Sequence, residues 1–110
     1  MNFRTHNQAD VDTNGTSWTF STIQATRAEL VKAFGEPMHL GGSRVQYEWA
    51  IQFEDGTVAT VYDWKKPEFE EDTPMTWNIG THAHVQSGHA VSLVHDAFRT
   101  AHGLCARSAA

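Results

Sequence analysis

The chain has 110 residues and a mass of 12.3 kDa, enough for one hydrophobic core and not for two domains. Eight basic residues against thirteen acidic ones leave a net charge of −5, which argues against a double-stranded nucleic-acid surface, though not against a small anion in a local pocket. A lone cysteine, Cys105, closes no intramolecular disulfide. No apolar run approaches the ~20 residues of a membrane span, and the N-terminus carries no apolar signal-peptide core, so a cytoplasmic protein without membrane contact is expected.

Residues 1–16 are expected to form a flexible N-terminal tail, because Asn7 to Thr16 has almost no apolar content and no period. A single folded domain is expected over 17–105, with a flexible tail over 106–110. Ser17 to Ile23 is rich in Trp, Phe, Thr and Ile and reads as a strand with Trp18, Phe20 and Thr22 on one face. Thr26-Arg27-Ala28-Glu29 has the form of a capping box. Leu30, Ala33 and Phe34 then supply the apolar stripe of a short helix, which Gly35 and Pro37 terminate.

Arg44 to Phe53 alternates, with Val45, Tyr47, Trp49, Ile51 and Phe53 on one face. Thr57 to Trp64 alternates as well. Asp55-Gly56 between them predicts a two-residue type I′ hairpin with both residues at positive φ. That turn would set Phe53 opposite Val58, Ile51 opposite Thr60, Trp49 opposite Tyr62, and Tyr47 opposite Trp64. The polar alternates Gln46, Glu48, Gln52, Thr57 and Asp63 would face solvent. A short strand follows at Met75–Ile79, a loop over Gly80–Gly88, and a helix from about Ser87 to His102. Its buried stripe is Val91, Val94, Ala97, Phe98 and Ala101.

The element order is thus β-α-β-β-β-α. An apolar sheet face and two amphipathic helices predict an α+β two-layer sandwich, mainly antiparallel, with both helices on one face. Few strands and four tryptophans make a homodimer a further expectation.

The predicted register gathers Tyr47, Trp49, Tyr62 and Trp64 into an aromatic block at the end of the hairpin away from its turn. Arg44, Lys65 and Lys66 lie at the same end. One reading makes the whole face core beneath the helices. The other makes Tyr47, Trp49, Tyr62, Trp64, Arg44 and Lys65 a site for a planar, phosphate-bearing ligand. The same register sets Glu48 opposite Asp63, a carboxylate pair able to do acid–base work or simply to form a solvated charge cluster. His82-Ala83-His84 with His89 could hold a metal, yet no Cys pair or HExxH accompanies it. His95 and His102 lie about two helical turns apart, too far to share an ion. No metal, cofactor or catalytic residue is therefore assigned. The run Glu68-Phe69-Glu70-Glu71-Asp72 reads as a solvated loop or as carboxylates offered to a basic partner.

Thr26 to Pro37, Tyr47-Glu48-Trp49, Phe53 to Lys65 and Trp77-Asn78-Ile79-Gly80 together resemble a group of small accessory proteins of actinobacterial phages. The likeness spans roughly residues 18–95 and is most specific over Phe53 to Lys65. A helix ending in Gly-x-Pro before an aromatic meander is also similar in architecture to BamE/SmpA-like domains, whose lipoprotein signal this chain lacks. The phage resemblance implies no catalytic residue. It implies a phage accessory gene, and such small genes often encode binders that blunt host defence. Taken with the aromatic and basic cluster, the expected function is that of a soluble, non-enzymatic anti-defence protein of the host cytoplasm that sequesters a nucleotide-like ligand. The alternatives are an acidic inhibitor occupying a basic site of a host defence protein, and a small hydrolase using Glu48/Asp63 or a His82/His84 metal site.

Overall fold

A computed structural model describes residues 2–66 and 69–103. In chain order it contains β1 (Phe3–Thr5), β2 (Thr16–Ala25), α1 (Arg27–Phe34), β3 (Met38–His39), β4 (Tyr47–Phe53), β5 (Val58–Tyr62), β6 (Met75–His82) and α2 (Ser87–Ala101). The strands form one sheet in the order β1-β4-β5-β6-β2, and every pairing is antiparallel. β3 and β1 share the outer edge of β4, β3 at Tyr47–Glu48 and β1 at Ile51–Phe53. Both helices cover the same face, where Leu30 and Phe34 of α1 and Val94 of α2 join Trp49, Ile51, Val61, Trp77 and Ile79 in the core. The fold is the expected α+β arrangement with two additional short strands. No described helix is long and apolar enough to cross a membrane.

Local chemistry explains the parts that formed as expected. Thr26 caps α1: its hydroxyl accepts from Glu29 N at 3.0 Å, and Glu29 Oε1 accepts from Thr26 N at 2.8 Å. Gly35 leaves the helix at φ 82°, a conformation an L side chain resists. Its carbonyl accepts from Trp49 Nε1 at 2.7 Å, which ties the helix end to β4. Trp77 Nε1 likewise donates to Ala25 O at 2.9 Å, and the two buried indoles meet edge to face with centroids 5.4 Å apart. Burying an indole with its N–H satisfied avoids the cost of an orphaned donor.

The N-terminal expectation needs correction. Phe3–Thr5 is a strand rather than part of a loose tail, and the Phe3 ring packs against Phe34 and Phe53 with centroids 5.5 and 5.8 Å away. Three residues carry no readable period, and their partner lies nearly fifty positions away, so only the assembled sheet edge selects them.

The hairpin also differs, with larger consequences. Its loop has three residues, Glu54, Asp55 and Gly56, closed by Phe53 N donating to Thr57 O at 2.8 Å. Gly56 has φ 90°, whereas Asp55 keeps a negative φ and its side chain accepts from Thr57 N at 2.9 Å. This is the type I turn with a left-handed glycine, in place of type I′. The register moves by one: Glu48 faces Tyr62, Trp49 faces Val61, and Ile51 faces Ala59. A one-residue slip exchanges the two faces of a strand. Ala59, Val61 and Thr57 thus lie beneath the helices, while Tyr62, Thr60 and Val58 turn to the open face. Packing favours this choice, since small Ala59 and Val61 leave room for the indoles of Trp49 and Trp77.

Candidate ligand-binding site

The slip divides the expected aromatic block between the two faces of the sheet. Trp49 is core, with no exposed surface, and cannot touch a ligand. Tyr47 stays on the helix side, stacked on His39 at 4.8 Å with the Arg27 guanidinium 4.5 Å from its ring centroid. Tyr62 and Trp64 face the opposite way. There they line a groove of about 440 Å³ together with Trp18, Lys66, Thr76 and Asn78. Three of those four added residues come from β2 and β6, strands the hairpin argument did not include.

Each lining residue is fixed by its strand. Tyr62, Asn78 and Thr22 are successive cross-strand partners on β5, β6 and β2, and Thr60, Gly80 and Trp18 form the neighbouring row. Gly80 keeps that row low: a Cβ there would lie 2.5 Å from Thr60 Oγ1 and 3.1 Å from Ser17 O. A bulge between Trp18 and Ser21 then breaks the pairing of β2 with β6. Thr19 Oγ1 anchors it by donating to Ile79 O at 2.7 Å, and Trp18 Nε1 donates to Ser21 O at 3.1 Å. Phe20 at the bulge has φ 67°, is 82% exposed, and rests against Trp18 with centroids 4.9 Å apart. The bulge takes Phe20 out of the pairing, so of the expected common face only Trp18 and Thr22 keep their alignment.

The opposite wall is held by Asp63 and the segment after β5. Asp63 is fully buried, and its Oδ1 accepts from Gln46 N and Tyr47 N, both at 2.9 Å. It therefore fastens the start of β4 and is not a member of an acid–base pair with Glu48, whose cross-strand neighbour is Tyr62. Lys65 N donates to Arg44 O at 2.6 Å and Gln46 Nε2 donates to Lys66 O at 2.7 Å, so this segment is bound along its length. Trp64, 44% exposed, projects from it, with Lys65 Nζ 5.7 Å from its ring centroid. Trp18 is equally exposed at 44%. Arg44 is exposed and reaches this corner through its backbone, while Lys66 lines the groove directly.

Two half-exposed indoles, a phenol and two lysines at one corner can stack a flat ring and meet a negative charge. Burial raises the Glu48 carboxyl, and burial followed by the Glu48 charge raises the Tyr62 phenol. The phenol thus remains a hydrogen-bond donor across the physiological range.

The histidines serve the scaffold. His82 Nε2 donates to Asp12 O at 2.8 Å with its ring stacked on His84, and His95 and His102 donate to Thr22 O and Glu29 O at 3.1 and 2.8 Å. His89, the third histidine of the expected metal cluster, pairs instead with Asp55 at 2.8 Å. Among the described residues no group of three or more His, Cys, Asp or Glu side chains could hold a metal ion. Glu70, Glu71 and Asp72 are exposed; Glu68 and Cys105 lie outside the described residues.

Sequence signals for the missed residues existed only in part. Trp18 and Phe20 sit among small polar residues in Ser17-Trp18-Thr19-Phe20-Ser21, a pattern poor in core partners. Their place beside Tyr62 and Trp64 depends on β2 pairing with β6, a contact between distant segments. Comparison with known protein families and with curated proteins finds no match to this chain.

Proposed function

We propose that the protein is a non-enzymatic binder of a small, anionic, heteroaromatic ligand of the nucleotide class, held on the open face of its sheet. The observation that carries this reading is the groove between Trp18 and Trp64, floored by Tyr62 and Asn78 and bordered by Lys66. Its volume, about 440 Å³, falls within the range of small-molecule sites, and its aromatic surface has no packing role in the core. The lysines give local positive charge to a chain whose net charge is −5. The resemblance to phage accessory proteins supplies a purpose for such a binder, namely removal of a nucleotide signal used by host defence.

Titration with AMP, ADP, cyclic AMP and a cyclic dinucleotide, followed by tryptophan fluorescence, tests the reading. One or more should quench the exposed indoles, raise the melting temperature, and be recovered chemically unchanged. Trp64→Ala should abolish quenching while leaving a folded protein. Absence of quenching by all four would refute the ligand reading, and turnover of a bound nucleotide would refute the non-enzymatic one.

A further inference from the structure

Asn78 occupies the middle of the groove floor, between Tyr62 on β5 and Thr22 on β2. It is half-buried, and its side-chain amide makes no hydrogen bond among the described residues. The buried hydroxyls of Thr19 and Thr81, by contrast, each donate to a backbone carbonyl at 2.7 Å. The Asn78 amide therefore offers one donor and one acceptor, side by side, to whatever fills the groove.

A base with its faces against the indoles of Trp18 and Trp64 presents an edge to that floor. We propose that Asn78 makes the groove selective for adenine nucleotides, its Oδ1 accepting from the exocyclic amine and its Nδ2 donating to the adjacent ring nitrogen. The inference rests on the nucleotide reading above and deepens it. Adenine's pairing edge has two polar groups, and one amide satisfies both. Guanine, cytosine and uracil each carry three on that edge, so a single amide leaves one without a partner on the groove floor. Guanine's other accessible edge shows two acceptors, one of which would face Asn78 Oδ1. Sites that read a polar edge in this way reject mismatched analogues strongly, whereas stacking alone tolerates every base. Lys66, with Lys65 beside it, is placed to meet the phosphate.

The test is quenching of the full chain by AMP, GMP and purine riboside 5′-monophosphate, which lacks the exocyclic amine. The native protein should prefer AMP over both by about tenfold or more, as expected for one unpaired group. Asn78→Leu should remove that preference while GMP affinity changes by less than about threefold, and Asn78→Asp should favour GMP, whose edge supplies two donors. Circular dichroism melting of each variant separates loss of fold from loss of recognition. Equal binding of AMP and GMP, or a preference that survives Asn78→Leu, overturns the role of Asn78 and leaves the groove reading standing. No quenching by any of the three overturns the role of Asn78, and with none by ADP, cyclic AMP or the cyclic dinucleotide either it overturns both.

Discussion

Trp49 and Trp64 would be close neighbours on one sheet face under the register the sequence suggests; the observed register puts them on opposite faces. Alanine substitution at each measures that difference. An indole buries ~150–250 Å², which at ~25 cal/mol/Å² is worth ~4–6 kcal/mol when nothing remains exposed. Trp49 meets that condition, donates to Gly35 O, and is the edge-to-face partner of Trp77. Trp49→Ala should cost at least ~4 kcal/mol, near the upper end for large core truncations. Trp64 retains 44% of its exposure, and its removal opens no closed cavity. Area figures from extended-chain references run high, so Trp64→Ala should cost only ~1–2 kcal/mol. Urea unfolding midpoints, read with a common slope, give both values. The native fluorescence should also lose part of its quencher-accessible fraction in Trp64→Ala, Trp18 supplying the rest, and part of its shielded fraction in Trp49→Ala, where Trp77 remains. A cost above ~3 kcal/mol at Trp64, or equal costs at both sites, would refute the face assignment and with it the groove.

Asp63→Ala should destabilise by ~3 kcal/mol or more in urea titrations, because two hydrogen bonds at 2.9 Å to a fully buried side chain are lost and two N–H groups are left without that acceptor. Asp63→Asn keeps an acceptor and should cost clearly less; equal losses would contradict the anchoring role. Gly80→Ala should destabilise by ~1–3 kcal/mol through the close approach to Thr60 Oγ1, and pairing it with Thr60→Ala should recover part of that loss. Asp55 is held at about 2 rather than 3.8, first by its hydrogen bond to His89 and then by those from Thr57. A carboxyl lowered by folding contributes stability above its unfolded value and loses it as pH falls through the folded one. The melting temperature should therefore drop between about pH 4 and pH 2, and Asp55→Asn should flatten that slope; an unchanged slope would remove the ion pair from the account.

What the sequence discloses is what neighbouring residues decide among themselves. The Thr26–Glu29 box, the Gly35 exit and the apolar alternation of β4 all act within a few positions, and each is found where the pattern places it. The register of β5 is different. Val58-Ala59-Thr60-Val61-Tyr62 has buriable side chains on both alternations, and all but Tyr62 are buried. Hydrophobic pattern therefore cannot choose between its faces. Asp-Gly does not choose either, because both candidate loops need a positive-φ glycine and tolerate aspartate before it. The choice falls to the volume beneath Trp49 and Trp77, which exists only once β6 and α1 have assembled. The strand expected at Met75–Ile79 runs on to His82 for a similar reason, since Gly80 fits flat against Thr60 and Ser17. The candidate site inherits this mixture. Tyr62, Trp64 and Lys65 come from the hairpin already singled out, whereas Trp18 and Asn78 reach it through sheet order.

Phe20 joins the bulge to the site through strain. A bulky side chain at φ 67° costs ~1–2 kcal/mol relative to extended backbone. Almost no burial offsets this, because the ring is 82% exposed and its one ring contact is with Trp18. That contact is worth ~0.5–1.5 kcal/mol. Glycine would hold the same bulge without strain, and Thr19 already anchors it through Ile79 O. The fold draws little stability from this ring, and if Trp18 stacks the proposed ligand, Phe20 beside it extends the same aromatic surface outside the groove lining. Phe20→Gly should shift stability by no more than ~1 kcal/mol in either direction, since relief of strain and loss of the ring contact nearly cancel. The same substitution should weaken quenching by AMP several-fold. A variant that is destabilised by ~2 kcal/mol or more and binds AMP as the native protein does would make Phe20 a structural residue and confine the site to Trp18, Tyr62 and Trp64.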